Sequence, residues 1–448
     1  MKNFYFSILI HVLLGFIVFI AKPIMFLYPI IIILLGLFYI INNKNKNNEV
    51  LIAAAYISGA EVFMRMTEIL VFHETGKYSV LIFMFLGLIY NGFSRNAFLY
   101  FVVLFLLIPG VIVAFLNYHY DVELQKSIVF NLLGPVALLV SSIYTFNRTV
   151  NAKQLNNILL AFGLPLISMV VYVLLYQPTN QELFLASESN HNTSGGYGPN
   201  QVSTMLGFGM FVFFSLFLFF SKSFFQKIIY LAVALIMGYR SLLTFSRGGL
   251  IAGVLMIVGL IVITYFNVNF AAKIKIKIVT IALSLVGLMV FSYTVLVTDG
   301  MISNRYSGKD AKGREKRSKL SGREDIAAAE YQLFLENPIF GIGVGRNKIE
   351  KAEIIGKELA SHNEITRLLA EHGSFGLVAF IFMFFIPILF FLNNKNQLFL
   401  VPFFLFWFLT INHAAIRIAA PAFIYALTLL KVSFVEENQN EVLNQTTI

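Results

Sequence analysis

A histidine and three arginines stand out in this chain as side chains able to do chemistry: His362, Arg247, Arg323 and Arg305. His362 lies in "ASHNEITRLLAEHGSFG", residues 360–376. Ser361 and Glu364 have the spacing of a capping box. Ile365, Leu368 and Leu369 form one apolar stripe, and Gly373 suits a C-terminal cap. The spacing predicts a short helix over 362–372, with Ser361 as its cap, Asn363 and Glu364 in its first turn, and His362 at its first position. A helix start presents free N–H groups and a partial positive charge. It attracts phosphate and keeps an imidazole neutral, able to accept a proton. That suits chemistry on a phosphate-linked substrate, although a surface histidine on a capped loop helix would show the same spacing. His372, near the predicted helix end, is explained by a favourable interaction with the terminal dipole.

Arg247 lies in "LLTFSRGGLIAG", residues 242–253, where one apolar run ends and the next begins. Its planar fork suits phosphate oxygens, and Gly248 and Gly249 permit close approach of a ligand or helix. A side chain snorkelling to lipid headgroups is the alternative. Arg323 opens "GREDIAAAEYQLFLENPIFGIGVGRN". There Ile326, Ala329, Leu333 and Phe334 share a helical face, Asn337-Pro338 stops the helix, and Gly341, Gly343 and Gly345 make a turn-rich connector. Arg305 precedes it in a basic stretch that reads as a flexible, solvated loop. Glu61, Arg65 and Glu68 are spaced to pair on one face of an apolar helix, as a functional or a structural cluster. No closely spaced ligand set for a metal, no phosphate-binding loop and no serine nucleophile elbow is present.

The elements that must carry these residues are membrane helices. The chain has 448 residues, 58% hydrophobic and 12% charged, with 48 Phe, no Cys and a mean hydropathy of +0.78. Apolar runs long enough to cross a bilayer recur along it without strand-like alternation, which predicts an all-α polytopic protein of about 12–14 transmembrane helices. The absence of cysteine excludes disulfides and thiolate metal sites. The net charge of +10 is loop charge rather than a sign of nucleic-acid binding. Lys44, Lys46, Arg95, Arg148, Lys153, Lys222, Lys227, Lys273, Lys275, Lys277 and Lys395 fall in alternate loops, so the positive-inside rule places the N-terminus in the cytoplasm. This divides the chain into transmembrane helices over 1–297, an outer loop over 298–375, further transmembrane helices over 376–432 and a cytoplasmic tail over 433–448. A second long outer loop spans about 177–202.

In chain order, "YGPNQVSTMLGFGMF", "TFSRGGLIAG", "SGRED…NPIFGIGVGRN" and "SHNEITRLLAEHGSFGLVAF" resemble the O-antigen ligase/polymerase superfamily of bacterial envelope enzymes. The resemblance covers roughly residues 197–380. It implies a multi-pass protein of the bacterial inner membrane that takes a glycan from an undecaprenyl-diphosphate donor. The glycan passes to an acceptor hydroxyl on the periplasmic side, with inversion, no metal and no cofactor. A ligase would use lipid A–core or a similar lipid-anchored acceptor; a polymerase would use another lipid-linked repeat unit. Arg247 and Arg323, with Arg305 in reserve, would hold the diphosphate. His362 would take the acceptor proton, orient the hydroxyl or bond the diphosphate. Ser361, Asn363, Glu364, Gly341 and Gly343 would support it. A transporter of lipid-linked glycans predicts polar residues spread through many spans instead. A membrane scaffold would leave the arginine and histidine set without a purpose.

Overall fold

The computed structural model describes residues 2–69, 73–117, 122–176, 189, 191–310, 312–315, 322–395, 397–414 and 416–433. The expected cytoplasmic tail, all but its first residue, and half of the 177–202 loop lie outside them, as does part of the basic stretch after Arg305.

The described residues form a helical bundle. In order they are α1 (Lys2–Ile20), α2 (Tyr28–Asn43), α3 (Glu49–Arg65), α4 (Thr75–Asn91), α5 (Phe98–Asn117), α6 (Val122–Thr145) and α7 (Ala152–Leu175). Then follow α8 (Pro199–Ser215), α9 (Phe224–Leu243), α10 (Arg247–Asn267) and α11 (Phe270–Val297). The segment after α11 holds α12 (Met301–Tyr306), α13 (Arg323–Glu336) and α14 (Asn347–Ile355); α15 (Glu364–Asn393), α16 (Leu400–Ile411) and α17 (Ala419–Leu427) follow. Two short strands, β1 (Thr149–Asn151) and β2 (Lys431–Ser433), pair in parallel with Val150 opposite Val432.

Nine helices among the described residues are long and apolar enough to cross a bilayer, and Phe4–Ile20 and Leu400–Ile411 are shorter apolar helices. This is a multi-pass helical membrane protein. Those two, with α3, α4 and α17, each under 18 residues, account for the difference from the 12–14 expected. Every residue of α17 and nearly all of α3 are buried, so protein rather than lipid surrounds them. The apolar surface faces outward on other helices: Phe38, Ile89, Leu116, Leu288 and Met289 are all exposed. Inside, aromatic pairs such as Trp407–Tyr425, with ring centroids 4.7 Å apart, fill the core.

The connections gather at two ends. At one, β1 meets β2, the Asn147 N–H donates to Leu429 O at 3.0 Å, and Arg148 donates to Gly92 O at 2.9 Å. The basic residues Lys44, Lys46, Arg95, Arg148, Lys153 and Lys395 belong to the connections of this end. At the other end, Arg305 reaches Phe245, Arg417 reaches Ser361, and Ala419 reaches Glu61. The arginines and histidine singled out above sit here.

Candidate active site

Arg247 is the first residue of α10, as its place between two apolar runs predicts. The start of α10 is fixed by small residues. A Cβ on Gly249 would lie 2.2 Å from the Ser203 carbonyl carbon, and one on Gly207 would lie 2.1 Å from Gly249 O. Only glycine lets α8 and α10 cross this closely. Ser246 donates to Asn200 Oδ1 at 2.9 Å, and Ser203 donates to Ser246 O at 2.9 Å.

Arg323 is likewise the first residue of its helix, α13. Ile326, Ala329 and Leu333 are buried on one face, and the helix ends at Asn337-Pro338, as the periodicity predicts. Arg305 is not in a solvated loop. It lies in α12, is buried, and its Nε donates to Phe245 O at 3.0 Å, which ties α12 to the turn before Arg247.

His362 departs from expectation. The cap of α15 is Asn363, whose Oδ1 accepts from the Ile365 N–H at 2.8 Å, and the helix begins at Glu364. Ser361 forms no capping box; its hydroxyl donates to Asn363 O at 3.0 Å. His362 therefore precedes the helix, because Asn, itself a strong cap, stands nearer the apolar stripe than Ser361 does. Glu364 turns to Arg367, which also pairs with Glu371. The helix does not stop at Gly373 either. It breaks there, at φ +59° and ψ −139°, and runs on to Asn393, so an outer-loop boundary at 375/376 falls inside α15. His372 is buried rather than at an exposed helix end: a Cβ on Gly110 of α5 would lie 2.4 Å from its Nδ1.

Gly341 and Gly343 are framework, in left-handed conformations at φ +73° and +94°. Their stretch threads between α5 and α15, with the Ile342 N–H donating to Ala370 O at 2.9 Å and the Val344 N–H to Gly110 O at 3.0 Å. A buried Lys351–Glu330 pair at 2.8 Å, joined by Asn347 and Thr366, locks α13 and α14 to α15.

These elements enclose a cavity of about 780 Å³ whose lining includes Asn200, Arg323, Asp325, Lys357 and His362. Burial, and then the positive charges of Arg417, Arg323, Lys351 and His413, push His362 down to about 4, so its imidazole is neutral at neutral pH. Its Nδ1 is buried with no hydrogen-bond partner among the described residues. Burial, then the charge of Arg247, lowers Arg323. Burial pushes Tyr306 up to about 12, against the opposing pull of Arg247 and Arg305. Arg417, Arg323 and Lys351 thus act on His362, Arg247 acts on Arg323, and Arg247 and Arg305 both act on Tyr306. A smaller cavity of about 90 Å³, lined by Ser361, Glu364, Arg367 and Arg417, lies beyond the same segment.

Two members of this set were missed from the sequence. Arg417 donates through Nη2 to Ser361 O, and burial lowers its pKa, with Glu364 and Tyr197 opposing. His413 packs on Gly248, with Nε2 3.1 Å from Thr204 Oγ1, and is pushed down to about 4 by burial. The signal for Arg417 was available: like Arg247, it is an arginine standing where one apolar run meets the next. Among the described residues no group of three or more His, Asp or Glu is placed to hold a metal ion.

Residues 232–381 match the family model for O-antigen ligase. This stretch is similar to the O-antigen ligase family. It contains Arg247, Arg305, Arg323 and His362, and so contributes most of the cation set. No curated protein and no solved structure matches the chain. The O-antigen ligase-like region also includes Gly341, Gly343 and α15 as far as Ile381. Arg417, His413 and Asn200 lie outside the matched stretch and join it only through the fold.

Proposed function

We propose that this end of the bundle transfers a glycan from undecaprenyl diphosphate to an acceptor hydroxyl. Family and architecture support a membrane function of the O-antigen ligase/polymerase type. The observation that carries the finer reading is a neutral histidine with an unpartnered nitrogen, lining a cavity together with Arg323 and Lys357.

The acceptor oxygen attacks the anomeric carbon as the bond from that carbon to the diphosphate oxygen breaks. The electron pair leaves with the diphosphate, and the acceptor proton passes to His362. Arg323, with Arg247 and Arg305 behind it, balances the charge that grows on the departing diphosphate. A single displacement inverts the anomeric centre. In this reading the positive side chains supply the stabilisation a metal would otherwise give, so transfer persists in excess EDTA; a strict divalent-cation requirement contradicts it. The basic opposite end faces the cytoplasm, so the site faces the periplasm of a bacterial inner membrane.

We favour ligation to a lipid A–core or similar acceptor, with polymerisation of lipid-linked units as the alternative use of the same chemistry. The test is the surface glycan profile of a deletion strain, complemented with wild type or His362→Ala. Polymer retained on undecaprenyl diphosphate, with none on lipid A–core, supports ligation. A single repeat unit on lipid A–core identifies polymerisation. An unchanged profile refutes both.

A further inference from the structure

Glu61 lies on α3, 1% exposed, inside an apolar bundle. A carboxylate there is costly unless both oxygens are satisfied. Oε1 accepts from Arg65 Nη2 at 2.6 Å, and Oε2 accepts the backbone N–H of Ala419 at 2.6 Å. Ala419 is the first residue of α17, whose own cap position is occupied by Ile418 and makes no side-chain cap bond. Glu61 therefore caps α17 from another helix, satisfying a free N–H and complementing the positive end of the dipole.

The surroundings are built for this carboxylate. A Cβ on Gly76 of α4 would lie 2.4 Å from its Cδ, so the absence of a side chain makes its space. Arg65 is 3.6 Å from Glu74, which pairs with Lys77 at 2.7 Å. Two acids and two bases balance. Glu68, the partner expected from spacing, is outside this group: it is exposed, in a left-handed turn at φ +60°, and Glu74 takes its place. Buried ion pairs add little stability over apolar side chains of the same size. What they provide here is position.

Two residues before Ala419 is Arg417, which donates to Ser361 O. Asn412, at the end of α16, accepts from Asn363 Nδ2 at 3.3 Å. Ser361 and Asn363 are the two neighbours of His362, so the connection from α16 to α17 holds His362 from both sides. We infer that Glu61 is a positioning residue for the transfer reaction: by capping α17 it sets Arg417, and through Arg417 the Ser361 carbonyl and the ring of His362. Only the kinetic arm of its test rests on the transfer reading above.

In Glu61→Gln a single side-chain oxygen remains, which serves Arg65 or Ala419 but not both. A displacement of about 1 Å at the site predicts a loss of about 10²-fold in kcat/KM for glycan transfer. Because Glu61 acts through Arg417, the double variant Glu61→Gln/Arg417→Gln is expected within about 2-fold of Arg417→Gln alone, the margin of ordinary additivity. Losses that multiply would show that Glu61 works by another route and overturn the inference. The second readout needs no chemistry: amide exchange over residues 359–366 and 412–420 speeds up in Glu61→Gln. Unchanged exchange there overturns the positioning role whether or not the wild type transfers glycan. If the wild type transfers none while exchange does speed up, only the functional reading falls. Glu61→Asp, which keeps the charge near Arg65 and draws the carboxylate back from Ala419, is read in the same way where Glu61→Gln fails to fold.

Discussion

His362 is held neutral by burial first and by surrounding cations second. The acid limb of kcat/KM, which reports the free enzyme, is expected near pH 4 rather than near the usual histidine value. A bound diphosphate offsets the cations, so the limb in kcat, which reports the complex, is expected at higher pH. Coincident limbs near 6.5 would remove His362 as the group titrating. The sign for stability is the reverse of a salt-bridged histidine. The unfolded chain takes up this proton as pH falls below about 6.5 while the folded chain does not, so the contribution of His362 to stability is lost between 6.5 and about 4. His362→Ala is expected to insert and fold normally but to transfer glycan about 10²–10⁴-fold more slowly, the usual contribution of a general base. Arg323→Lys keeps the charge and loses the fork, with an expected loss of about 10²-fold in steady-state transfer. Full activity in Arg323→Lys would mean a point charge suffices.

The cap and the break of α15 decide where His362 stands. Asn363→Ala removes the Oδ1 bond to the Ile365 N–H and is expected to cost about 1 kcal/mol, seen as a lower Tm. Ser361→Ala leaves the helix start intact, so equal losses in the two variants would restore Ser361 as the cap. Gly373→Ala is expected to be more severe than either. Its backbone, at φ +59°, costs a residue with a side chain about 1–3 kcal/mol. Its Cβ would also lie 2.5 Å from Ile339 O, where the connector after α13 crosses α15. A melting curve unchanged by Gly373→Ala would mean that the helix can straighten without moving the connector.

The whole molecule separates two ends: one collects the basic connections, the other the cavity and its cations. Because the native chain has no cysteine, single substitutions report sidedness without background. Lys309→Cys, between α12 and α13, is expected to react in intact cells with a maleimide that cannot cross the inner membrane. Asn394→Cys, at the end of α15 near the basic end, is expected to react only after lysis. The opposite pattern would invert the topology and place the site on the cytoplasmic side.

The helical membrane architecture follows from the sequence alone, because only helices satisfy their own backbone in lipid and every long apolar run declares one. Arg247 and Arg323 were legible for a local reason: each sits where an apolar period starts, and each proved to be the first residue of its helix. His362 was legible as a candidate, but its place relative to the helix was not. Ser361 and Asn363 can both cap, and which one does depends on the bonds Ser361 and Asn363 make to the α16–α17 connection. The partnership of Glu61 with Ala419 spans 358 positions and leaves no periodic trace. Packing in three dimensions brought Arg417, His413 and Asn200 to the matched stretch, since charges distant in sequence affect one another only once folding removes the water between them.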